Sequence, residues 1–246
     1  MESDDSWMGR TQLLIGKEKV EILKKSHVLV VGLGGVGSYC AEALGRAGIG
    51  KLSIVDGDVV DPSNRNRQLQ ALHSTHGLSK AKLMEERLKQ INPSVQLNVH
   101  SEFKNPDLVI ELLKNEFDYV VDAIDSISPK LYMIKTAYQL GHKIVSSMGA
   151  GGKVDPTRLR VSDISETYQC PLAQQIRKRL KNLGVKKGIK AVFSPEVPVK
   201  ESLMFTDGNN FKKSAYGTIS YLPAVFGMTC ASVVIRDLIH WKERYA

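Results

Sequence analysis

Paired cysteines are missing from this chain. Its three cysteines, Cys40, Cys170 and Cys230, are far apart and form no CxxC, so neither a zinc ribbon nor a disulfide framework is indicated. That pattern fits a reducing compartment. The first residues, Met1-Glu2-Ser3-Asp4-Asp5, lack the basic-then-apolar order of a secretory signal, and the expected location is cytoplasmic. Long apolar runs are scarce as well. One uncharged stretch, Ser214 to Ile235, approaches membrane-span length, but Tyr216, Gly217, Ser220, Pro223 and Gly227 interrupt it. It reads as a buried core helix preceded by a loop, and a membrane is not an expected partner. Internal repeats and low-complexity tracts are absent. Acidic charge is in deficit: 34 Lys+Arg against 26 Asp+Glu leave a net charge of +8, which suits an acidic partner, nucleic acid before membrane.

What is present begins with Val28-Leu29-Val30-Val31-Gly32-Leu33-Gly34-Gly35-Val36-Gly37, a buried strand running into a glycine turn and a helix. Gly32 permits the tight turn, Gly34 lets the backbone approach a phosphate, and Gly37 allows close helix–strand packing. The helix N-terminus supplies free N–H groups for that phosphate. A second strand ends at Asp56, where a carboxylate can hold ribose hydroxyls. Periodicity predicts helices over 7–26, 35–47, 79–91, 107–114, 129–140 and 172–183. It predicts strands over 28–31, 52–55, 95–99, 119–123, 143–147, 158–164 and 191–194, with an exposed loop at 200–214. Strands alternating with helices argue for an α/β fold: a doubly wound, mainly parallel, Rossmann-like sheet with helices on both faces. Residues 1–155 form the expected nucleotide-binding part. Residues 156–246 are expected to continue the same fold as a smaller extension with a basic helix, the loop and the core helix. Ligands of such sheets bind beyond the carboxyl ends of the strands, where Gly34, Asp56, Asp122 and Asp125 fall.

A glycine fingerprint alone fits a nicotinamide or flavin site equally well. The segment Asp56-Gly57-Asp58, followed by Asn64-Arg65-Asn66-Arg67-Gln68, turns the reading toward phosphate chemistry, because hydride transfer needs no arginines there. Arg67 suits a triphosphate, where a guanidinium forms charge-assisted bonds, or is a solvated loop arginine. Lys80 follows a candidate N-cap, Ser79, and either points to the same phosphates or lies on the surface like Lys82 and Lys89. Asp125, in Asp122-Ala123-Ile124-Asp125, is placed to hold Mg²⁺, to cap the helix before Pro129, or both. Arg177, Lys178, Arg179, Lys181, Lys186, Lys187 and Lys190 fall within fourteen residues containing no acid. Such a run suits nucleic-acid phosphates or one solvated helix face, and it holds no aromatic residue to stack on bases.

Taken in order, Gly-Leu-Gly-Gly-Val-Gly, Asp56, the Asn64/Arg67/Gln68 cluster, Lys80 and the Asp122/Asp125 pair resemble the ubiquitin-activating-enzyme superfamily, whose members adenylate carboxylates with ATP. The resemblance covers residues 7–155. It implies a nucleotide site made by Gly32, Gly34, Gly35, Gly37, Asp56, Asp58, Asn64, Arg67, Gln68, Lys80 and Asp122. Within it, Asp56 would hold the ribose of ATP, Arg67 and Lys80 the phosphates, and Asp125 the metal, Mg²⁺. Arg10 resembles an arginine that dimers of this superfamily insert into the neighbouring subunit's site, which implies a homodimer. Members that activate sulfur-carrier proteins usually carry CxxC zinc ligands, and these are missing. Cys170 sits near the place of a thioester cysteine, though a helix start explains it equally.

Further segments resemble the branch that dehydrates N6-threonylcarbamoyladenosine in tRNA: Gly149 to Thr157, Pro171-Leu172-Ala173, and Gly217 to Gly227. One departure is Cys170, where that branch more often has an acid. The implied substrate is tRNA carrying this nucleoside, and the implied reaction is adenylation of its threonyl carboxylate followed by ring closure. Two other readings stay open: adenylation of a carrier-protein C-terminus, and an ATP-sensing dimeric binding module. No residue identifies a sulfur-relay or cysteine-desulfurase partner.

Overall fold

Short β-branched runs become strands, and the amphipathic segments between them become helices that cover both faces of one sheet. The structure, a computed structural model, describes residues 6–101, 106–205 and 214–242. Helices α1 (Gly9–Ile15) and α2 (Lys17–Lys25) precede β1 (His27–Val31), α3 (Gly37–Arg46), β2 (Lys51–Val55), α4 (Lys80–Ile91) and β3 (Gln96–His100). Then come α5 (Pro106–Leu112), β4 (Tyr119–Asp122), α6 (Ile127–Gln139), β5 (Ile144–Ser147), β6 (Arg160–Asp163), α7 (Pro171–Asn182) and β7 (Lys190–Phe193). A short pair, β8 (Leu203–Phe205) and β9 (Ser214–Tyr216), precedes α8 (Leu222–Leu238).

The main sheet has seven strands in the order β3-β2-β1-β4-β5-β7-β6. All its pairings are parallel except β6 with β7, so the expected doubly wound, mainly parallel sheet is present. Side chains alternate across the strands. Val28, Val30, Leu52 and Ile54 therefore face one core with α3, α4 and α8, while Leu29, Val31 and Val120 face the other with α6 and α7. The strand order reverses between β1 and β4. Chain leaving those two strands opens a crevice at their carboxyl ends, the usual ligand position in such sheets.

Several expectations change. The predicted helix over 7–26 divides at Gly16, whose φ of +88° takes the chain out of helical geometry. The strand predicted over 158–164 is shortened because Pro156–Arg158 forms a 3₁₀ turn capped by Asp155. The loop predicted over 200–214 holds strand β8 and ends at the first residue of its antiparallel partner β9, with residues 206–213 outside the described residues. The apolar stretch does become a core helix, α8, and no helix among the described residues is long and apolar enough to cross a membrane. All three cysteines are buried and unpaired, and burial pushes the Cys230 thiol up to about 12.

Candidate nucleotide site

The glycine turn is built on close backbone approach. Gly32 has φ +89°, and a Cβ there would lie 2.8 Å from the Ala123 carbonyl oxygen in the loop after β4. A Cβ on Gly37 would lie 1.7 Å from the Gly32 oxygen. Gly34 differs, since the nearest atom to a Cβ would be Gln68 Nε2 at 3.7 Å, which leaves room beside it. At Gly35 the neighbours are Pro223 and Arg67, with Arg67 Cγ at 3.3 Å. No side chain caps the start of α3; the Ser38 N–H donates to Gly34 O at 3.1 Å, and the neighbouring N–H groups of the first turn are open to a ligand or water.

Asp56, at the end of β2, is tied to this turn. Its Oδ2 accepts a hydrogen bond from the Leu33 N–H at 2.6 Å and its Oδ1 one from the Asp58 N–H at 2.9 Å. Burial raises its pKa above the ordinary carboxylate value, and the charge of Lys80 opposes that rise. Lys80 opens α4, with Ser79 as N-cap, and its Nζ lies 3.1 Å from Asp58 Oδ2. The lysine is buried while Asp58 is exposed.

The loop after β2 brings the next group. Asn64 Oδ1 accepts from the Asp61 N–H and fixes a 3₁₀ turn. Arg67 Nη1 donates to Ser63 O and Asn66 Oδ1, both at 2.9 Å, and Asn66 reaches Thr218 O at 3.0 Å. Burial lowers the Arg67 pKa, and the charge of Asp125 raises it again, which places those two groups within electrostatic reach. Gln68 and Gln70 are both buried, and neither Oε1 has a hydrogen-bond partner among the described residues. Gln70 Nε2 donates to Leu33 O at 2.7 Å. Buried orphan acceptors are costly without a donor. Uncapped N–H groups and unmatched acceptors beside one roomy turn fit a nucleotide, which offers phosphate oxygens to the first and hydroxyl or amino hydrogens to the second.

The two acids after β4 part company. Asp122 is fully buried, and its carboxylate accepts from Lys130 Nζ at 2.5 Å, Ser146 Oγ at 2.6 Å and the Ile124 N–H at 3.1 Å. It steadies the loop that carries Asp125 and leaves no face open. Asp125 is exposed at the mouth of the crevice. Arg10 lies exposed on α1.

The loops after β5 and β7 hold a group that the sequence does not signal. Lys153 is buried and donates to Ser194 O at 2.7 Å, with Cys170 and Glu196 close enough to raise its pKa against the lowering by burial. Glu196 Oε2 accepts from the Val154 and Asp155 N–H groups at 3.1 and 3.0 Å. Cys170 is buried at the start of α7.

A model of the ThiF family matches residues 9–246. The chain is 39% identical over 237 residues to a tRNA threonylcarbamoyladenosine dehydratase of Bacillus subtilis, covering 94% of this chain and 93% of that one. A crystal structure of the E. coli tRNA N6-threonylcarbamoyladenosine dehydratase in complex with ATP superposes with a TM-score of 0.87 at 37% identity, covering 98% of each chain. The same enzyme in complex with AMP gives a TM-score of 0.86 at 36% identity and 98% coverage of each chain. With the match running from α1 through the glycine turn to α8, this chain belongs to the ThiF family.

Proposed function

We propose that this protein is an ATP-dependent dehydratase that cyclises N6-threonylcarbamoyladenosine in tRNA. The observation that carries the reading is the roomy glycine turn, ringed by Asp56, Lys80, Arg67 and Asp125, in a chain similar end to end to enzymes of that name.

The threonyl carboxylate is a poor acyl donor because oxide is a poor leaving group. One carboxylate oxygen attacks the α-phosphorus of ATP, the bond to the β-phosphate oxygen breaks, and pyrophosphate leaves. The ureido group of the same nucleoside then attacks the acyl carbon and loses its proton, and AMP departs with the former carboxylate oxygen. The net change is loss of one water from the nucleoside as ATP becomes AMP and pyrophosphate. Ring closure is intramolecular and gains from proximity, so no protein nucleophile is required. The buried Cys170 takes no part.

The protein's work is positioning and charge neutralisation. Asp56 holds the ribose hydroxyls, and Gln68 lies beside Gly34 to take a nucleotide hydrogen. Arg67 and Lys80 exchange their present partners for phosphate oxygens. Asp125 is the carboxylate that would hold Mg²⁺, which would supply positive charge to neutralise the triphosphate. Leu13 and Leu14 on α1 are 88% and 72% exposed, apolar area that a second copy would cover. In that homodimer Arg10 reaches the partner's site. The reaction belongs in the cytoplasm with its tRNA.

The test is digestion of tRNA after incubation with ATP. The expected product is the nucleoside less one water, formed only with ATP and lost with Arg67→Ala or Asp125→Ala. Unchanged product from those variants would contradict the site.

A further inference from the structure

The basic run of 177–190 divides in the structure. Arg177 Nη1 donates to Thr167 O at 2.6 Å, and Lys190 Nζ pairs with Asp237 Oδ2 at 2.6 Å, so both are engaged inside the fold. Lys178, Arg179, Lys181, Lys186 and Lys187 are exposed, and their side chains make no hydrogen bond or ion pair among the described residues. Ala173, Ile176 and Leu180 bury the opposite side of α7 against the second core, which fixes the helix rotation and turns Lys178 and Lys181 outward. The turn after α7 is equally fixed. Gly184 and Gly188 have φ of +84° and +99°, and the Gly188 N–H donates to Asp163 Oδ2 at 2.6 Å. Lys186 and Lys187 are thus presented on a pinned turn.

Stability explains only part of this cluster. Cations in the last helical turn favour the dipole, which accounts for Arg179 and Lys181. Lys178, spaced three residues from Lys181, adds like-charge repulsion, and Lys186 and Lys187 lie beyond the helix. What the five share is outward exposure on a path that begins at the candidate site and runs toward the amino edge of the sheet, where Lys186 and Lys187 precede β7. Leu172, in the first turn of α7, packs against Gly149 at the carboxyl end of β5, with 3.7 Å between its Cβ and the position of a Cβ on Gly149. Lys178 and Lys181 stand roughly 9 and 14 Å further along the helix at about 1.5 Å per residue.

We propose that the outward face of α7, with the turn that follows it, is a track for the phosphate backbone of the RNA substrate. The inference rests on the tRNA reading above and adds to it where the RNA lies. With the modified adenosine in the crevice, the track meets phosphates about three to four nucleotides away at roughly 3.4 Å rise per stacked nucleotide. It positions the RNA through its phosphates, since the run 177–190 itself holds no aromatic residue.

The experiment is tRNA binding by fluorescence anisotropy across about 50 to 200 mM salt, with wild type and Lys178→Glu/Lys181→Glu/Lys187→Glu. The expected result is a Kd raised about tenfold or more and a salt slope reduced by about 2 to 3. ATP affinity and turnover at saturating tRNA stay unchanged. The corresponding triple glutamine variant, which adds no negative charge, lies between the two. A triple glutamate variant that folds, binds ATP and keeps the wild-type Kd and slope overturns the track and leaves the tRNA reading standing. Wild type that binds no tRNA overturns both.

Discussion

Two sets of loops meet at the carboxyl edge of the sheet, and they differ in what they leave unsatisfied. Around β1 and β2 the chain strands polar groups: the uncapped start of α3, the orphan oxygens of Gln68 and Gln70, and Asp56 with its pKa raised by burial. After β5 and β7 the corresponding groups are matched, with Lys153 on Ser194 O and Glu196 on two backbone N–H groups. The same edge therefore carries an open half, organised for a ligand, and a closed half that acts as its wall. Asp122 and Asp125 mark the boundary three residues apart. One is fully committed inside the protein and the other is exposed at the mouth.

Substitutions should split along that line, the closed half answering in stability and the open half in activity. The largest effect is expected from Lys130→Met, which leaves the Asp122 carboxylate buried without its cation. Loss of about 3–5 kcal/mol of unfolding free energy is expected in urea melts. Next comes Arg67→Ala, which should cut turnover by roughly 10²- to 10³-fold if it neutralises developing phosphate charge, with a stability change below about 1 kcal/mol. Glu196→Ala should cost about 2 kcal/mol by stranding the Val154 and Asp155 N–H groups, and purified protein should still bind ATP in calorimetry.

The smallest effect is a pH dependence. Asp56 has a folded pKa raised above its ordinary 3.8, so the native state holds the proton more tightly than the unfolded chain. Its contribution is present below pH 3.8 and is lost as pH rises through the folded value. Asp56→Asn should flatten that fall in urea melts from acid to neutral pH while weakening ATP binding. A variant that binds ATP normally would remove Asp56 from the open half.

The open half was the legible one. Gly32, Gly34, Gly37 and Asp56 lie in contiguous stretches whose spacing states a strand, a tight turn and a helix start. The mainly parallel sheet follows from the alternation of strands and helices, whereas its strand order, with β7 between β5 and β6, does not. The closed half depends on partners distant in sequence. Lys130 sits on an amphipathic helix and reads as any surface lysine until Asp122 and Ser146 close around it. Lys153 and Ser194 lie 41 residues apart. Gly227 has no local signature either, yet a Cβ there would lie 2.2 Å from Val36 O, so it sets how closely α8 meets the glycine turn. The break at Gly16 is not legible in the sequence because Leu13 and Leu14 continue the apolar periodicity, although both are exposed in the structure. Arg177 and Lys190 looked identical to the five free cations beside them for the same reason: Thr167 and Asp237 are supplied by the fold.

The most direct test of carboxylate activation is release of pyrophosphate and AMP from ATP with two tRNA samples, one carrying N6-threonylcarbamoyladenosine and one lacking the threonylcarbamoyl group. The account predicts release with the modified tRNA alone. Release with neither, or equal release with both, would contradict it.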